Sequence, residues 1–312
     1  MMLTDEFISY ISGVRRYSPR TRSIYADVLQ DFRKFAAGRS LPGGNVQVNA
    51  DETAELPDGE ALTKTLTPTV LRDYEFHLVE DRKLGARTVN QHISVLSSFC
   101  RWLVGRGLLK SNPGKVVKRP KVEKRLPMFY RESSMEEYFQ NTAYAAGQES
   151  LDELQSLSDS MTIKDSGAFK MAEYLYDRRL RRLIISILYS TGMRRAEMLD
   201  LKIGSVDFSR GVVTVHGKGD KMREIPLTIS LSKEISLYLK AAESVAGRIR
   251  ASGEPLLTTF GGSALYPVFV DRAVKKELGT VEDITGRKSP HVLRHTLATE
   301  LLNDGADIYS IK

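Results

Sequence analysis

Four cationic side chains occupy positions where helices and hairpins of this sequence begin or turn. Arg194 opens a short helix, and Lys218 stands between two glycines in a tight turn. His291 and Arg294 are three residues apart, so they share one face of a helix, in its first turns. Free N–H groups and the macrodipole of such a turn favour an anion. Together the four residues predict a site that clamps a phosphate group.

Each of these residues also has a simpler interpretation. Arg194 could cap a helix, and Lys218 could be an ordinary exposed side chain. His291 and Arg294 could form a hydrated helix face or pair with carboxylates. Residue types and spacing leave these alternatives open.

A zinc site is a further alternative, because His291 and His295 are four residues apart on one helix. Arg294, however, places a cation beside the supposed metal, and no glutamate base follows His291. The single cysteine, Cys100, is distant in the sequence. We therefore expect no metal and no cofactor. We interpret His295 as a core residue or as one that supports the site residues from behind.

Helices and one hairpin must position these residues. Apolar residues recur at three and four residues over Met171–Ser190, which predicts a buried helix that ends at Gly192. The period changes to two over Gly211–His216 and Met222–Leu227, which predicts two strands around the Lys218 turn. Further helices are predicted at 195–201, 230–248, 268–277 and 291–303, the last capped by Ser289 and Pro290.

The first half of the chain is predicted to be helical. Its helices cover Thr21–Ala37, a stretch from Thr67 to Leu78 and Ala86–Val104, with a loop insert over 38–66. The third helix opens with polar residues of the types that hydrogen-bond base edges or phosphates. The candidates for nucleic-acid contact are Arg87, Thr88, Asn90 and Gln91. An ordinary hydrated helix face is the alternative for each of them.

The positive charge of the chain is concentrated in one segment. Residues 101–125, which we call the basic segment, carry nine Lys or Arg and one acid, a net +8. The whole chain has 46 basic and 39 acidic residues, a net +7, so the remainder is close to neutral. Clustered cations displace counterions from nucleic acid, which predicts a segment that lies along phosphates. A hydrated hinge is the alternative. The candidate contacts are Lys115, Lys118, Arg119, Lys121, Lys124 and Arg125.

Length and composition exclude several classes of protein. The chain has 312 residues, of which 41% are hydrophobic and 27% charged, so it can bury substantial cores and is neither fibrous nor wholly disordered. No apolar run approaches the roughly 18 residues of a membrane span, and the start lacks the features of a signal peptide. One cysteine excludes an internal disulfide and suits a reducing compartment. We therefore expect a cytoplasmic protein that does not enter a membrane.

Three segments carry a family resemblance. TGMRRAEMLDL at 191–201, HGKGDKMREIPL at 216–227 and HVLRHTLATELLNDGAD at 291–307 resemble the tyrosine recombinase, or phage integrase, family, in particular its Xer-type and integron-type branch. The three motifs occur in the family's order and in helix, hairpin and helix contexts, which makes the match much more specific than one motif. The stretch NQHISVLSSFCRWLVGRGLLKSNP resembles the family's core-binding domain, so the resemblance covers nearly the whole chain.

The resemblance implies a role for each cation. In this family a tyrosine hydroxyl attacks a DNA phosphodiester and leaves a 3′-phosphotyrosine and a free 5′-hydroxyl, which a reverse attack reseals. Arg194 and Arg294 correspond to the two arginines that clamp the phosphate. Lys218 corresponds to the lysine that protonates the leaving 5′-oxygen, and His291 to the histidine that assists the attacking hydroxyl. Glu197 matches an acidic position that orients neighbouring cations.

The attacking tyrosine itself is expected further along the chain. The resemblance places it one helix and a turn after the helix of His291, preceded by a His or Trp, and neither is found up to Lys312. Tyr309 lies too early in that register, so we interpret it as a packing or surface residue. We therefore expect this chain to be truncated before the nucleophile, and to bind DNA without forming a covalent adduct.

These observations define a fold and a function to be tested. We expect a mainly α, multi-domain protein: a helical, SAM-like core-binding domain at 1–117, a basic linker at 118–125 and a mixed α/β catalytic domain with a small β-hairpin at 126–312. The resemblance implies a site-specific recombinase that acts on double-stranded DNA as a homo-tetramer. A protein that binds DNA without catalysis and an enzyme similar to type IB topoisomerases are the alternatives.

The basic segment gives the first testable prediction. Neutralising the six cations between Lys115 and Arg125 should weaken DNA binding and make its salt dependence shallower. The slope of log K against log salt should change by about 0.9 for each DNA phosphate that the variant no longer neutralises. The measurement is a titration of duplex DNA at several salt concentrations. Unchanged affinity and slope would refute the phosphate contacts.

Overall fold

The computed structural model describes residues 2–37, 59–123, 128–157, 167–217 and 221–307. The chain divides into two units, Met1–Arg125 and Leu126–Lys312. Each unit has its own hydrophobic core. Helices dominate both units, and the second also contains a three-stranded antiparallel sheet. The predicted fold class, mainly helical with a small β element in the second half of the chain, is confirmed. No helix of the described residues is long and apolar enough to cross a membrane.

The first unit is a bundle of helices around an aromatic core. Phe7, Phe32, Tyr74 and Phe99 come from four different helices and are each almost fully buried. Phe7 and Phe99 lie with ring centroids 5.2 Å apart, as do Phe32 and Tyr74. The helices are α1 (Leu3–Gly13), α2 (Pro19–Ala37), α3 (Glu60–Thr65), α4 (Pro68–Phe76) and α5 (Ala86–Gly105).

Local sequence signals explain why α2 and α4 begin where they do. Pro19 and Pro68 occupy first-turn positions, where a missing N–H costs nothing. The Ser18 hydroxyl accepts a hydrogen bond from the Thr21 N–H at 3.2 Å, and Thr67 accepts one from Val70 at 3.3 Å. The predicted positions of α2, α4 and α5 are confirmed, except that α4 ends at Phe76 and the predicted stretch to Leu78 continues as a π-helix over His77–Asp81.

Two α-helices of this unit were not predicted. Helix α1 buries Thr4, Phe7 and Ile11, a spacing of three and four that the sequence contains but that spans only two turns. The loop expected over 38–66 is wrong at its end, because α3 occupies Glu60–Thr65. This short helix is stabilised by tertiary burial of Leu62, which is 1% exposed, and not by local propensity. Residues 38–58 lie outside the described part of the chain.

The second unit is built around its longest helix. Its helices are α6 (Glu132–Asn141), α7 (Ala143–Ala146), α8 (Gln148–Ser156), α9 (Gly167–Thr191), α10 (Arg195–Leu199), α11 (Ile229–Ala246), α12 (Pro267–Glu277) and α13 (Pro290–Asn303). Helix α9 packs against α11, α12 and α13. From Leu180 to Leu188 almost every α9 residue is buried, which matches the predicted buried helix.

The sheet carries its three strands in chain order. They are β1 (Val206–Asp207), β2 (Val212–His216) and β3 (Met222–Pro226), with β2 between the other two. Val213 pairs with Ile225 and Val215 with Arg223, so Arg223 lies on the sheet face of the buried Val213 and Val215. The hairpin predicted around the Lys218 turn is confirmed in its strands. Residues 218–220 lie outside the described part.

One predicted helix cap differs from the structure. Ser289 precedes α13 in an extended conformation, but its hydroxyl makes no capping bond and is buried without a hydrogen-bond partner among the described residues. The Ser289 carbonyl instead accepts the Val292 N–H at 3.0 Å, and Pro290 occupies the first turn. The start of α13 is therefore set by proline and backbone geometry.

A buried polar network joins α9 to α11. The Arg182 guanidinium donates to both carboxylate oxygens of Glu234, at 3.2 and 3.1 Å, and the Ser186 hydroxyl donates to Glu234 Oε2 at 2.8 Å. Arg182 also lies over the Phe139 ring, 4.5 Å from its centroid. Burial raises the pKa of Glu234, although Arg182 and Ser186 oppose this. The carboxylate is thus tolerated in the core only because its partners are held in place.

This network yields the second prediction. Glu234→Leu leaves the Arg182 charge buried and unpaired, so the free energy of unfolding should fall by about 3–5 kcal/mol. The double variant Arg182→Leu/Glu234→Leu removes both charges and should recover part of that loss. Urea unfolding measures both effects. Glu224→Leu, which breaks an exposed pair with Arg210, is the control and should change stability far less. A double variant no more stable than Glu234→Leu would contradict the interpretation.

Candidate active site

Arg194 is held at the start of α10 by a carboxylate three residues later. Its backbone N–H donates to Glu197 Oε2 at 2.8 Å, and its guanidinium donates to Glu197 Oε1 at 2.8 Å. The first bond is half of a capping box, in which a residue in the third position of the helix satisfies a free N–H. The Glu197 side chain is 5% exposed, whereas that of Arg194 is 51% exposed. The Arg194 guanidinium is therefore accessible to solvent, while the Glu197 carboxylate that holds it is buried.

A second arginine binds the same carboxylate from the sheet. Arg223 on β3 donates from Nη1 to Glu197 Oε1 at 3.1 Å and from Nη2 to Oε2 at 2.8 Å, the paired geometry that suits guanidinium and carboxylate. Burial by itself raises the pKa of Glu197. The hydrogen bonds from Arg223 and Arg194 outweigh burial and hold that pKa at about 2. Glu197 is therefore ionised and joins α10 to the hairpin.

Arg294 reaches the same place from α13. Its guanidinium donates a hydrogen bond to the Gly192 carbonyl oxygen, in the turn between α9 and α10. Gly192 has a φ of +59°, a left-handed conformation that favours glycine, and a β-carbon there would lie 2.9 Å from Cδ2 of Leu297. Burial lowers the pKa of Arg294, and the positive charges of Arg194 and Arg223 lower it further. The site thus contains three guanidinium groups and, among the described residues, only one carboxylate, Glu197, that binds any of them, so part of its positive charge is not neutralised.

The three arginines line one open cleft of about 320 Å³, which we call the arginine cleft. Glu224 also lines it, but both Glu224 oxygens are bonded to Arg210, at 2.8 and 2.7 Å. The rest of the lining is mostly backbone and apolar side chains: Thr191, Gly192, Ile225, Pro226, Leu297, Ala298 and Leu301. A phosphate group is small enough for this space, and its negative charge would balance the positive charge of the guanidinium groups.

The predicted site residues differ in where the structure places them. Arg194, Glu197 and Arg294 come together as expected. His291 is exposed in the first turn of α13, three residues before Arg294, and is not among the cleft residues. His295 is exposed, so of the two interpretations given for it the core position is wrong, and the supporting role stays a prediction. One residue after Arg294, it is turned about 100° around the helix from that side chain.

Lys218 lies outside the described residues, but its neighbour indicates where the turn attaches. The Gly217 N–H donates to the Lys221 carbonyl oxygen at 2.7 Å, which closes the hairpin. A β-carbon on Gly217 would lie 3.3 Å from Nη1 of Arg223 and 3.9 Å from Oε1 of Glu197. The residue before Lys218 therefore rests against the Glu197 ion pairs.

The candidate DNA contacts of the first unit lie along α5 and the basic segment. Arg87, Thr88 and Gln91 are exposed on α5. Asn90 is half-buried and bonds within the protein. Its side-chain amide donates to the Pro120 carbonyl oxygen at 2.9 Å. This bond brings the basic segment beside the first turns of α5. Lys115, Lys118, Arg119 and Lys121 are exposed, and Lys124 and Arg125 lie outside the described residues.

Arg223 is a site residue that the sequence did not predict. It lies within the quoted HGKGDKMREIPL motif, but one arginine on a short alternating strand has no feature that separates it from an ordinary exposed residue. The available signal was its position. Val213 and Val215 face the core, and the antiparallel register puts Arg223 on their face of the sheet.

The depressed pKa of Glu197 gives the third prediction. A carboxylate with a pKa of about 2 when folded, against 4.5 ordinarily, stabilises the protein fully above pH 4.5 and loses that contribution as the pH falls towards 2. Glu197→Gln should therefore cost about 1–3 kcal/mol of unfolding free energy at pH 7, and the difference from wild type should shrink as the pH falls through this window. Urea unfolding at pH 7 and pH 3 tests it. A difference that does not depend on pH would contradict the assignment.

Two family models match this chain. The Phage integrase family model matches residues 167–312, and the model of the phage integrase N-terminal SAM-like domain matches residues 3–109. The stretch between the two matches contains most of the basic segment.

Known relatives and solved structures agree with these matches. The chain is 30% identical over 318 residues to tyrosine recombinase XerC of Bacillus pumilus, covering 99% of this chain and 86% of the relative. It is 28% identical to XerC of Lactobacillus delbrueckii subsp. bulgaricus, covering 100% and 89%. Among structures, the Tn1549 transposon integrase bound to transposon right end DNA matches with a TM-score of 0.61 at 15% identity, covering 100% and 90%. XerH bound to its difH substrate matches at 0.59 and 17%, covering 99% and 76%. The protein belongs to the phage integrase family of tyrosine recombinases.

Proposed function

We propose that the protein is a site-specific DNA recombinase whose arginine cleft holds the phosphate at which a strand is broken and rejoined. The observation that carries this proposal is the unneutralised charge of the cleft. Arg194, Arg223 and Arg294 line it, and the Arg294 pKa is lowered by burial and by the other two cations. A phosphodiester supplies the missing negative charge, and its transition state carries more charge on the non-bridging oxygens. The cleft is therefore best suited to the transition state of phosphoryl transfer.

Each cationic residue has one role in the proposed reaction. Arg194 and Arg294 donate to the non-bridging oxygens, in the fixed planar geometry of guanidinium. His291 accepts the proton of the attacking tyrosine hydroxyl as the bond from that oxygen to phosphorus forms. Lys218 gives a proton to the 5′-oxygen as its bond to phosphorus breaks. Among the described residues that line the cleft there is no tyrosine.

Glu197 supports this chemistry without reacting. Its pKa of about 2 keeps it from serving as an acid near neutral pH. It instead fixes Arg194 and Arg223 relative to each other, so that the clamp does not have to be ordered when DNA binds. We assign Glu197 and Arg223 as positioning residues for the phosphate clamp.

We further propose double-stranded DNA as the partner of both units. Residues 1–117 would grip the duplex through α5, and the linker at 118–125 would follow the phosphates. Residues 126–312 would carry the chemistry. Because each subunit breaks one strand, exchange between two duplexes requires four subunits, which supports a homo-tetramer on DNA. The Tn1549 integrase structure named above holds transposon right end DNA and the XerH structure holds a difH substrate, which supports the choice of partner.

The fourth prediction tests the clamp separately from the tyrosine. A duplex selected from a random library by this protein is incubated with it and with hydrogen peroxide, whose anion can attack phosphorus in place of a tyrosine. Wild type should break one strand at a defined phosphate and leave a 5′-hydroxyl. Arg194→Ala and Arg294→Ala should each lower the rate by about 10²–10³-fold, the usual cost of removing one donor to a transition-state oxygen.

The control is Arg248→Ala, which removes an exposed guanidinium that is paired with Glu254, and neither of these two residues lines the cleft. It should cleave as wild type does. DNA affinity, measured in parallel, should change only a few-fold in the two clamp variants. A protein that only binds DNA would show affinity with no cleavage in any variant, and that result would overturn the proposal.

A further inference from the structure

Residues at the start of the second unit are bonded directly into α13. The Tyr130 N–H donates to the Thr296 hydroxyl oxygen at 3.0 Å, and that hydroxyl donates to the Val292 carbonyl oxygen at 2.9 Å. Tyr130 is 4% exposed and Thr296 is fully buried. The hydrogen-bond chain thus enters α13 two residues after Arg294 and ends one residue after His291. No other hydroxyl of α13 among the described residues receives a bond from outside the helix.

The same tyrosine also binds the loop that precedes α13. The Tyr130 hydroxyl donates to the Arg287 carbonyl oxygen at 3.0 Å. Burial raises the pKa of Tyr130 to about 12, so the phenol stays protonated and remains a donor near neutral pH. One residue therefore fixes the chain before α13 through its side chain, and the second turn of α13 through its backbone.

These two bonds bracket the turns that present the cations of α13. His291 lies between Arg287 and Thr296 in the sequence, and so does Arg294. The Arg294 guanidinium is fixed at its far end by the Gly192 carbonyl, but the backbone that carries it is fixed by Tyr130. A displacement of this backbone by about 1 Å moves both cations relative to Arg194, and displacements of that size can cost about 10²-fold in rate.

We propose that Tyr130 and Thr296 are positioning residues that set α13 against the phosphate clamp. This inference rests on the proposed function. It assigns a reaction role to residues 128–130, which precede α6 and are not part of the arginine cleft. In the chain this stretch follows the basic segment, with Lys121 nine residues before Tyr130.

Substitutions at Thr296 test the proposal. Thr296→Val keeps the side-chain shape but removes the acceptor for Tyr130, whereas Thr296→Ser keeps the hydroxyl. Thr299→Val is the matched control, because Thr299 is on the same helix and its hydroxyl donates to the carbonyl of His295, at 2.8 Å. The readouts are the rate of peroxide-supported cleavage, the dissociation constant for the selected duplex and the melting temperature.

Thr296→Val should lower the cleavage rate on the order of 10–100-fold, with DNA affinity within a few-fold of wild type. Thr296→Ser should restore the rate to within a few-fold, and Thr299→Val should cleave as wild type does. In the Arg294→Ala background, Thr296→Val should cause a smaller loss than it does in wild type, because part of its effect depends on the position of the Arg294 side chain. Tyr130→Phe should give a smaller loss than Thr296→Val, since it retains the backbone donor.

Three results would overturn the inference. They are wild-type cleavage by Thr296→Val, equal losses in Thr296→Val and Thr299→Val, and a loss that is additive with Arg294→Ala. A loss of rate that only follows a lower melting temperature, with no rescue by serine, would also count against a positioning role. If wild type itself does not cleave the selected duplex, the proposed function fails, and this inference fails with it. That outcome is distinct from a cleaving wild type matched by Thr296→Val.

Discussion

A buried carboxylate shared by two arginines is the interaction on which the site depends. Glu197 is bonded to the helix start at Arg194 and to the strand residue Arg223, so one anion ties α10 to the sheet. Without it, two guanidinium groups would face a third, Arg294, at close range with no compensating charge. The carboxylate makes the cluster stable enough to fold, and leaves enough positive charge to attract a phosphate. Fold stability and reactivity are therefore set by the same ion pairs.

The helices that position the cations are fixed by packing within the core and by hydrogen bonds to other segments of the unit. Helix α9 packs against α11, α12 and α13, and its own polar contacts with α11 run through Arg182 and Glu234. Helix α13 is bonded to the start of the unit at Tyr130 and to the α9–α10 turn at Gly192. Each guanidinium thus sits on backbone whose position is determined elsewhere in the unit. This arrangement matches the general requirement that clamping groups be ordered before the substrate arrives.

The sequence predicted those site residues whose positions are marked by a local feature, such as the start or the end of a helix. Arg194 follows a helix-ending glycine, and Arg294 lies in the first turns of a helix opened by proline, so spacing and breaker residues locate both. Arg223 could not be separated from an exposed strand residue, because its role depends on the register of β3 against β2. Residue type assigned Asn90 to DNA contact, whereas its amide bonds the Pro120 carbonyl, thirty residues away. Short elements such as α3 form through tertiary burial, which no local pattern reports.

The length of α9 fixes the distance and the rotation between the core residue Arg182 and the turn at Gly192. The helix has 25 residues and ends one residue before that turn, and Arg182 lies ten residues upstream, about 15 Å along the axis. Deleting a single residue between them would shorten that span by about 1.5 Å and rotate the turn by about 100° relative to the core. Arg194 would then leave the cleft, although all three arginines are still present in the chain. A change of chain length within this stretch of α9 would therefore disrupt the cleft, whereas a substitution there leaves the spacing unchanged.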